Sequence, residues 1–181
     1  RPSLNDTGDL WTEVRRQVEP ESLVIVGDSR PLFDSDLDEL EKGLGRRPIQ
    51  LAEPGSTAFP VLADLTNDES FHGTIICSVT PRLFFAPPGS PPMKRAEKSV
   101  RRAHTQTLAQ RASHNLGVYL EEWFACMKQD DLTLGALLDH LPILNRRNAQ
   151  VPPPLPPYFA SITRERRARM VEQCARPGEL Q

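Results

Sequence analysis

The sequence predicts an α/β fold built around a parallel sheet, and three observations carry that prediction. Ser22–Gly27 (SLVIVG) is a continuous apolar run of strand length, the pattern of a strand covered on both faces. Two further strand-like stretches follow it, Pro48–Pro54 (PIQLAEP) and Thr74–Thr80 (TIICSVT). Segments of helical spacing lie between the three, joined by short links, and such alternation favours right-handed βαβ crossovers. Three strands are few for a doubly wound sheet, so the set is expected to be incomplete.

The elements can be justified in order. Arg1–Ser22 is a lead-in segment whose short helix, Thr7–Val18, is capped by Thr7 or Asn5 and ended by Pro20. Residues 23–92 hold the βαβαβ unit. Its first helix carries Leu37, Leu40 and Leu44 on one face, with Asp34 or Ser35 as N-cap and Gly45 as terminator. Its second, Ala58–Asp68, aligns Val61, Leu62 and Leu65. Phe84–Pro92 (FFAPPGSPP) reads as a wrapping loop. Residues 93–181 form a helical and proline-rich extension: a long helix Met93–Gln129, a short one in Asp131–Leu144, a polyproline-like tether Val151–Phe159, and a basic helix Ser161–Cys174. Tyr119, Leu120, Trp123 and Phe124 crowd one part of the long helix and read as core, although an uncovered face there would also suit a homodimer or partner protein.

Composition bounds the function. With 181 residues the chain can bury a core as one domain. A net charge of −2 does not favour nucleic acid as a partner, and the basic clusters Met93–His104 and Thr163–Met170 read as solvated helix faces. Cys77, Cys126 and Cys174 are far apart without a CxxC pair, which speaks against a zinc site or a disulfide framework. Cys77 reads as a small core residue, and a Cys126–Cys174 bridge is left open. No metal set and no cofactor motif is visible: there is neither Gly-x-Gly-x-x-Gly nor a P-loop. No stretch approaches the ~20 apolar residues that span a bilayer, and no signal peptide is present. The chain begins at Arg1 rather than Met, as a processed or excerpted piece would.

Ligands of parallel sheets bind beyond the carboxyl ends of the strands. Three loops qualify here: Gly27-Asp28-Ser29-Arg30, Glu53-Pro54-Gly55-Ser56-Thr57 and Ser78-Val79-Thr80-Pro81. Their small and hydroxyl residues let backbone N–H groups approach an oxyanion, and a helix beginning just after Ser29 would add its positive end.

The stretch VIVGDSR resembles the first sequence block of the SGNH (GDSL-type) hydrolases, where a Gly-Asp-Ser turn ends the first strand. The resemblance spans roughly Leu23 to Phe85 and implies an SGNH/flavodoxin-like sheet. It implies Ser29 as catalytic nucleophile and, through its own N–H, as an oxyanion-hole donor, with Gly55 in EPGST as a second donor. Asp28 and Arg30 are expected to orient the turn or pair with neighbours. The family's third block, Gly-x-Asn-Asp, is replaced by SVTP, so the asparagine donor's role would fall to Thr80 or Ser78. The family's Asp-x-x-His does not occur. Glu69-Ser-Phe-His72 has the spacing but precedes the third strand, at the opposite edge of the sheet from Ser29. Asp139 and His140 are adjacent and would diverge on a helix, while His104 and His114 fall in the long helix. All four histidines read as structural or solvated, with His140 the best candidate base among them. RPSLNDTGDLW is similar to segments that precede such domains in membrane-anchored bacterial proteins, which implies an extracytoplasmic setting and an anchor ahead of Arg1.

The expectation is therefore a serine ester hydrolase acting on glycan or lipid esters. Its rivals are a catalytically inactive binding module of the same fold, for a glycan or protein, and a flavodoxin-like phosphate or nucleotide binder.

Overall fold

The computed structural model describes residue 4, residues 6–123 and residues 161–169. Leu23–Val26 (β1) is the middle strand of a three-stranded parallel sheet, with Ile49–Gln50 (β2) on one side and Thr74–Cys77 (β3) on the other. Val24 pairs with Ile49, and Leu23 to Val26 pair in step with Thr74 to Cys77. All four β1 residues are buried, as an apolar run without alternation requires. The α/β class and the parallel sheet are as the sequence predicts.

Alternate β1 residues serve opposite faces. On one face Val24, Val26 and Leu51 pack with Trp11 and Val14 of α1 (Gly8–Arg15) and with Val61 and Leu65 of α4 (Phe59–Thr66). Helix α6 (Pro91–Thr105) closes this side through Val100 and Ala103. The Trp11 indole N–H donates to Leu51 O at 2.9 Å, which ties α1 to the sheet while satisfying the ring's polar end. Leu32 of α2 (Ser29–Asp34) and Leu37 of α3 (Leu37–Leu44) are buried as well, and the Gln50 side chain of the β2 strand donates to Pro31 O of α2 at 2.8 Å.

Caps fix the boundaries. Thr7 Oγ1 accepts from Leu10 N–H at 3.2 Å, the first of the two expected caps for α1, but the helix ends at Arg15, short of Val18. Gly45, at φ +72°, closes α3 as expected. The N-cap of α3 is Asp36, not Asp34 or Ser35: its Oδ1 accepts from Asp38 N–H (2.9 Å) and Glu39 N–H (3.4 Å). Asp34 instead ends α2, a separate short helix within Ser29–Asp34.

The long helix expected from Met93 is two helices, α6 and α7 (Leu108–Trp123), preceded by a short α5 (Pro81–Phe84). The break has a local cause. Gln106 is extended, and its side chain turns inward to Asp9 at 2.7 Å and to Arg16. Thr107 and Gln110 then cap each other reciprocally, Gln110 N–H to Thr107 Oγ1 at 3.3 Å and Thr107 N–H to Gln110 Oε1 at 3.0 Å. Tyr119 and Trp123 are exposed, contrary to a core role, and their rings stand 6.0 Å apart. The expected helix at 131–144 and the polyproline tether lie outside the described residues, as do Cys126, Cys174, Asp139 and His140.

The basic helix expected from Ser161 is, over the described residues 161–169, an antiparallel hairpin of Ser161–Ile162 (β4) and Ala168–Arg169 (β5). Tertiary ion pairs override the helical pattern. Arg166, at φ +58° and fully buried, forks onto Asp6 (2.7 and 2.9 Å) and donates to Gln50 O (3.2 Å) and Ala52 O (2.7 Å). Arg167 pairs with Asp36 at 2.6 Å and with Asp38. The charges expected to face solvent hold the hairpin against the β2 flank.

Candidate functional site

The three loops meet at the carboxyl edge of the sheet. Glu53 N–H donates to Gly27 O at 3.1 Å and Ser78 N–H donates to Val26 O at 2.9 Å, so both neighbouring loops flank the exit of β1. The order β2-β1-β3 puts the loops after β2 and β3 on either side of the β1 exit. The exit leaves no room for a side chain at Gly27: a Cβ there would lie 2.7 Å from Pro31 Cγ and 3.0 Å from Ser78 Cβ. Asp28 is buried and accepts from Arg30 N–H at 3.0 Å. That is the turn-orienting role expected of it, and Arg30 is exposed. Ser29 is half-buried and is itself the first residue of α2. With six residues α2 adds little dipole, so the turn's contribution is position rather than field.

The second loop is held as firmly. Gly55 adopts φ +67°, a left-handed conformation that favours glycine. Ser56 and Thr57 are buried beside it; Ser56 Oγ donates to Glu53 O at 2.9 Å and Thr57 Oγ1 accepts from Phe59 N–H at 3.4 Å. Gln50, also buried, donates to Pro31 O (2.8 Å) and accepts from Ala52 N–H (3.1 Å), bracing β2 against α2. In the third loop Thr80 occupies the N-cap position of α5 without a side-chain cap bond, and its buried Oγ1 has no hydrogen-bond partner among the described residues.

The structure thus sets Ser29, Gly55 and Thr80 on the same edge. The described histidines are elsewhere. His72 N–H donates to Pro20 O at 2.8 Å, beside the start of β3. His104 Nε2 lies 2.5 Å from Asp64 Oδ1, a carboxylate that also accepts from Arg15. His114 Nε2 lies 3.0 Å from Glu13 Oε2, between α7 and α1. The first bond lies at the amino edge of the sheet and the other two in the helical layer, none of them in the Ser29 turn. Cys77 packs at the rim of the core as expected, and burial pushes its thiol pKa up.

Two residues that sequence reasoning did not single out complete this edge. Glu53 Oε1 accepts from Ser99 Oγ (3.1 Å) and from Arg95 Nε (3.3 Å), whereas its buried Oε2 has no hydrogen-bond partner among the described residues. Burial pushes the Glu53 carboxyl above its ordinary pKa, against the pull of Ser99 and Arg95. Asp9 of α1 goes the other way. Burial acts upward on it too, but bonds from Arg102 (2.7 and 3.1 Å) and Gln106 hold its pKa down. The available sign was an acidic residue between an apolar strand and a Pro-Gly turn; its partner Arg95 was hidden in a cluster that reads as solvated.

No family model matches the sequence, and neither a curated protein nor a solved structure matches it. Among the described residues no group of three or more His, Cys, Asp or Glu is placed to hold a metal ion.

Proposed function

We propose that the chain is an SGNH-hydrolase-like domain that cleaves ester bonds, acyl groups on glycans or lipids, with Ser29 as the nucleophile. The observation that carries this reading is the turn Gly27–Ser29, which leaves no space at Gly27 and sets Ser29 beside the Gly55 and Thr80 loops. Ser29 Oγ attacks the ester carbonyl and its proton passes to a base. The oxyanion accepts hydrogen bonds from Ser29 N–H, Gly55 N–H and the Thr80 hydroxyl, which has no partner among the described residues. Collapse expels the alcohol with that proton, and water then cleaves the acyl-serine. The base comes from outside the described residues, with His140 as the candidate in this chain. A hydroxyl at Thr80 replaces the family's amide donor, and one oxyanion donor is worth roughly 10²–10³ in rate. The lead-in segment supports an extracytoplasmic, membrane-anchored setting as part of the same proposal; no helix among the described residues is long and apolar enough to cross a membrane.

One observation favours a second reading, a non-catalytic binding module of the same shape: all three described histidines are engaged away from Ser29. Hydrolysis of an activated short-chain ester by the full chain and by Ser29→Ala decides between them. The hydrolase reading predicts a loss of about 10³-fold or more in the variant; equal rates would remove Ser29 from the chemistry.

A further inference from the structure

The cleft of about 870 Å³ that runs from Glu53 along α6 is lined by five cations and three carboxylates. The carboxylates are matched: Asp6 by Arg166, Asp9 by Arg102, and Glu53 by Arg95. Three cations are not. Lys94, Lys98 and Arg101 line the cleft and have no ion-pair partner among the described residues. Their spacing of four and three residues puts them on one side of the helix. The same helix carries a single acidic residue, Glu97, which forms no ion pair with them.

Arg95 links this row to the candidate site. Its Nε is held by Glu53 Oε1 at 3.3 Å, and its Nη1 stands 3.8 Å from where a Gly55 Cβ would be. A side chain at residue 55 would meet the guanidinium, whereas glycine leaves the space beside it open. The guanidinium therefore lies against the Gly55 turn, and the cation row leads away from it along α6.

We infer that this cleft is a subsite for a ligand bearing a phosphate or sulfate group. Lys94, Lys98 and Arg101 bind the anion, Arg95 joins it to the Gly55 turn, and Glu53 is a positioning residue that holds Arg95. The inference deepens the ester-hydrolase reading by making its substrate class anionic, yet anion binding itself does not require Ser29 chemistry.

The test is a calorimetric titration of the full chain with inorganic pyrophosphate at low salt, repeated on Ser29→Ala, on the double variant Lys98→Gln/Arg101→Gln, and on Arg82→Gln. Arg82 is an exposed cation of α5 that does not line the cleft. Saturable binding is expected in wild type, Ser29→Ala and Arg82→Gln, with affinity lowered about tenfold or more in the double variant. Absence of saturable binding in wild type would overturn the subsite. So would an unchanged double variant, or an Arg82→Gln loss of the same size. Because Ser29→Ala is read for binding alone, failure of the hydrolase proposal and failure of this one give different results. Parallel arms with glucose 6-phosphate and with phosphatidylglycerol vesicles tell a soluble phosphate from a lipid headgroup, and whichever binds must weaken in the double variant.

Discussion

The two flanks of β1 are finished in opposite ways. On the β2 side a hairpin from far along the chain is latched over the strand end: Arg166 is buried against Asp6 and the Gln50 and Ala52 carbonyls. Around it, Arg47 pairs with Asp38, Glu41 and Glu165, and Arg167 with Asp36 and Asp38. On the β3 side no strand among the described residues pairs with the outer edge, and Ile76, Val79 and Phe85 are exposed. Ser29 lies between a closed flank and an open one. The ion pairs that tie distant segments together are therefore gathered on the β2 side, the side of the Gly55 turn.

The largest expected effect follows from the latch. Arg166→Met strands Asp6 and two strand-end carbonyls, and breaking a buried pair costs about 3–5 kcal/mol. Urea denaturation should show that loss, whereas Ile76→Ser on the open edge should cost about 0.5 kcal/mol or less. Comparable losses from the two would erase the contrast.

Gly27→Ala is expected to be next. The added methyl meets Pro31 and Ser78, and overpacking of this kind costs about 1–3 kcal/mol. The midpoint should fall without a change in the slope of the denaturation curve. A neutral result would show that the Ser29 turn is not tightly clamped.

Glu53 provides a test with a sign. Its folded pKa is raised above the ordinary value of 4.5, so the folded state holds the proton longer than the unfolded chain does. Stability is thus lost as pH rises from about 4.5 toward the folded pKa. Glu53→Gln keeps the shape and removes that titration, so the variant should gain on wild type across the same window. Asp9 acts oppositely, its contribution disappearing as pH falls, so the comparison must be made variant against wild type. If the gap between them does not move with pH, Glu53 is not desolvated as described.

The smallest effect is expected from Arg47→Gln. Arg47 is a third exposed, and such pairs contribute about 0–1 kcal/mol despite their number. Moderate salt should reduce even that difference.

The legible parts of the fold were those with local signals. LVIV announced a doubly covered strand, and Gly45 a helix end. The α6–α7 break was also available locally, because Thr107 and Gln110 have capping-box spacing, but without Pro or Gly the helical pattern overshadowed it. Asp36 was missed because Asp34, Ser35 and Asp36 can all cap; only the chain path chooses among them. The hairpin at 161–169 was illegible for a different reason. Arg166 and Arg167 find their carboxylates more than a hundred residues away, and no local pattern reports that distance. The Ser29 turn could be read from residues alone, whereas Glu53–Arg95 could not, since a cation in a basic run looks solvated until its partner is in view.

The central claim is that Ser29 is a nucleophile held at the carboxyl edge, and covalent labelling tests it most directly. Incubation of the full chain with a fluorophosphonate probe, followed by peptide mapping, should place a single adduct on Ser29, absent from Ser29→Ala. An unmodified Ser29 under conditions that label a serine esterase, or an adduct on another residue, would contradict it.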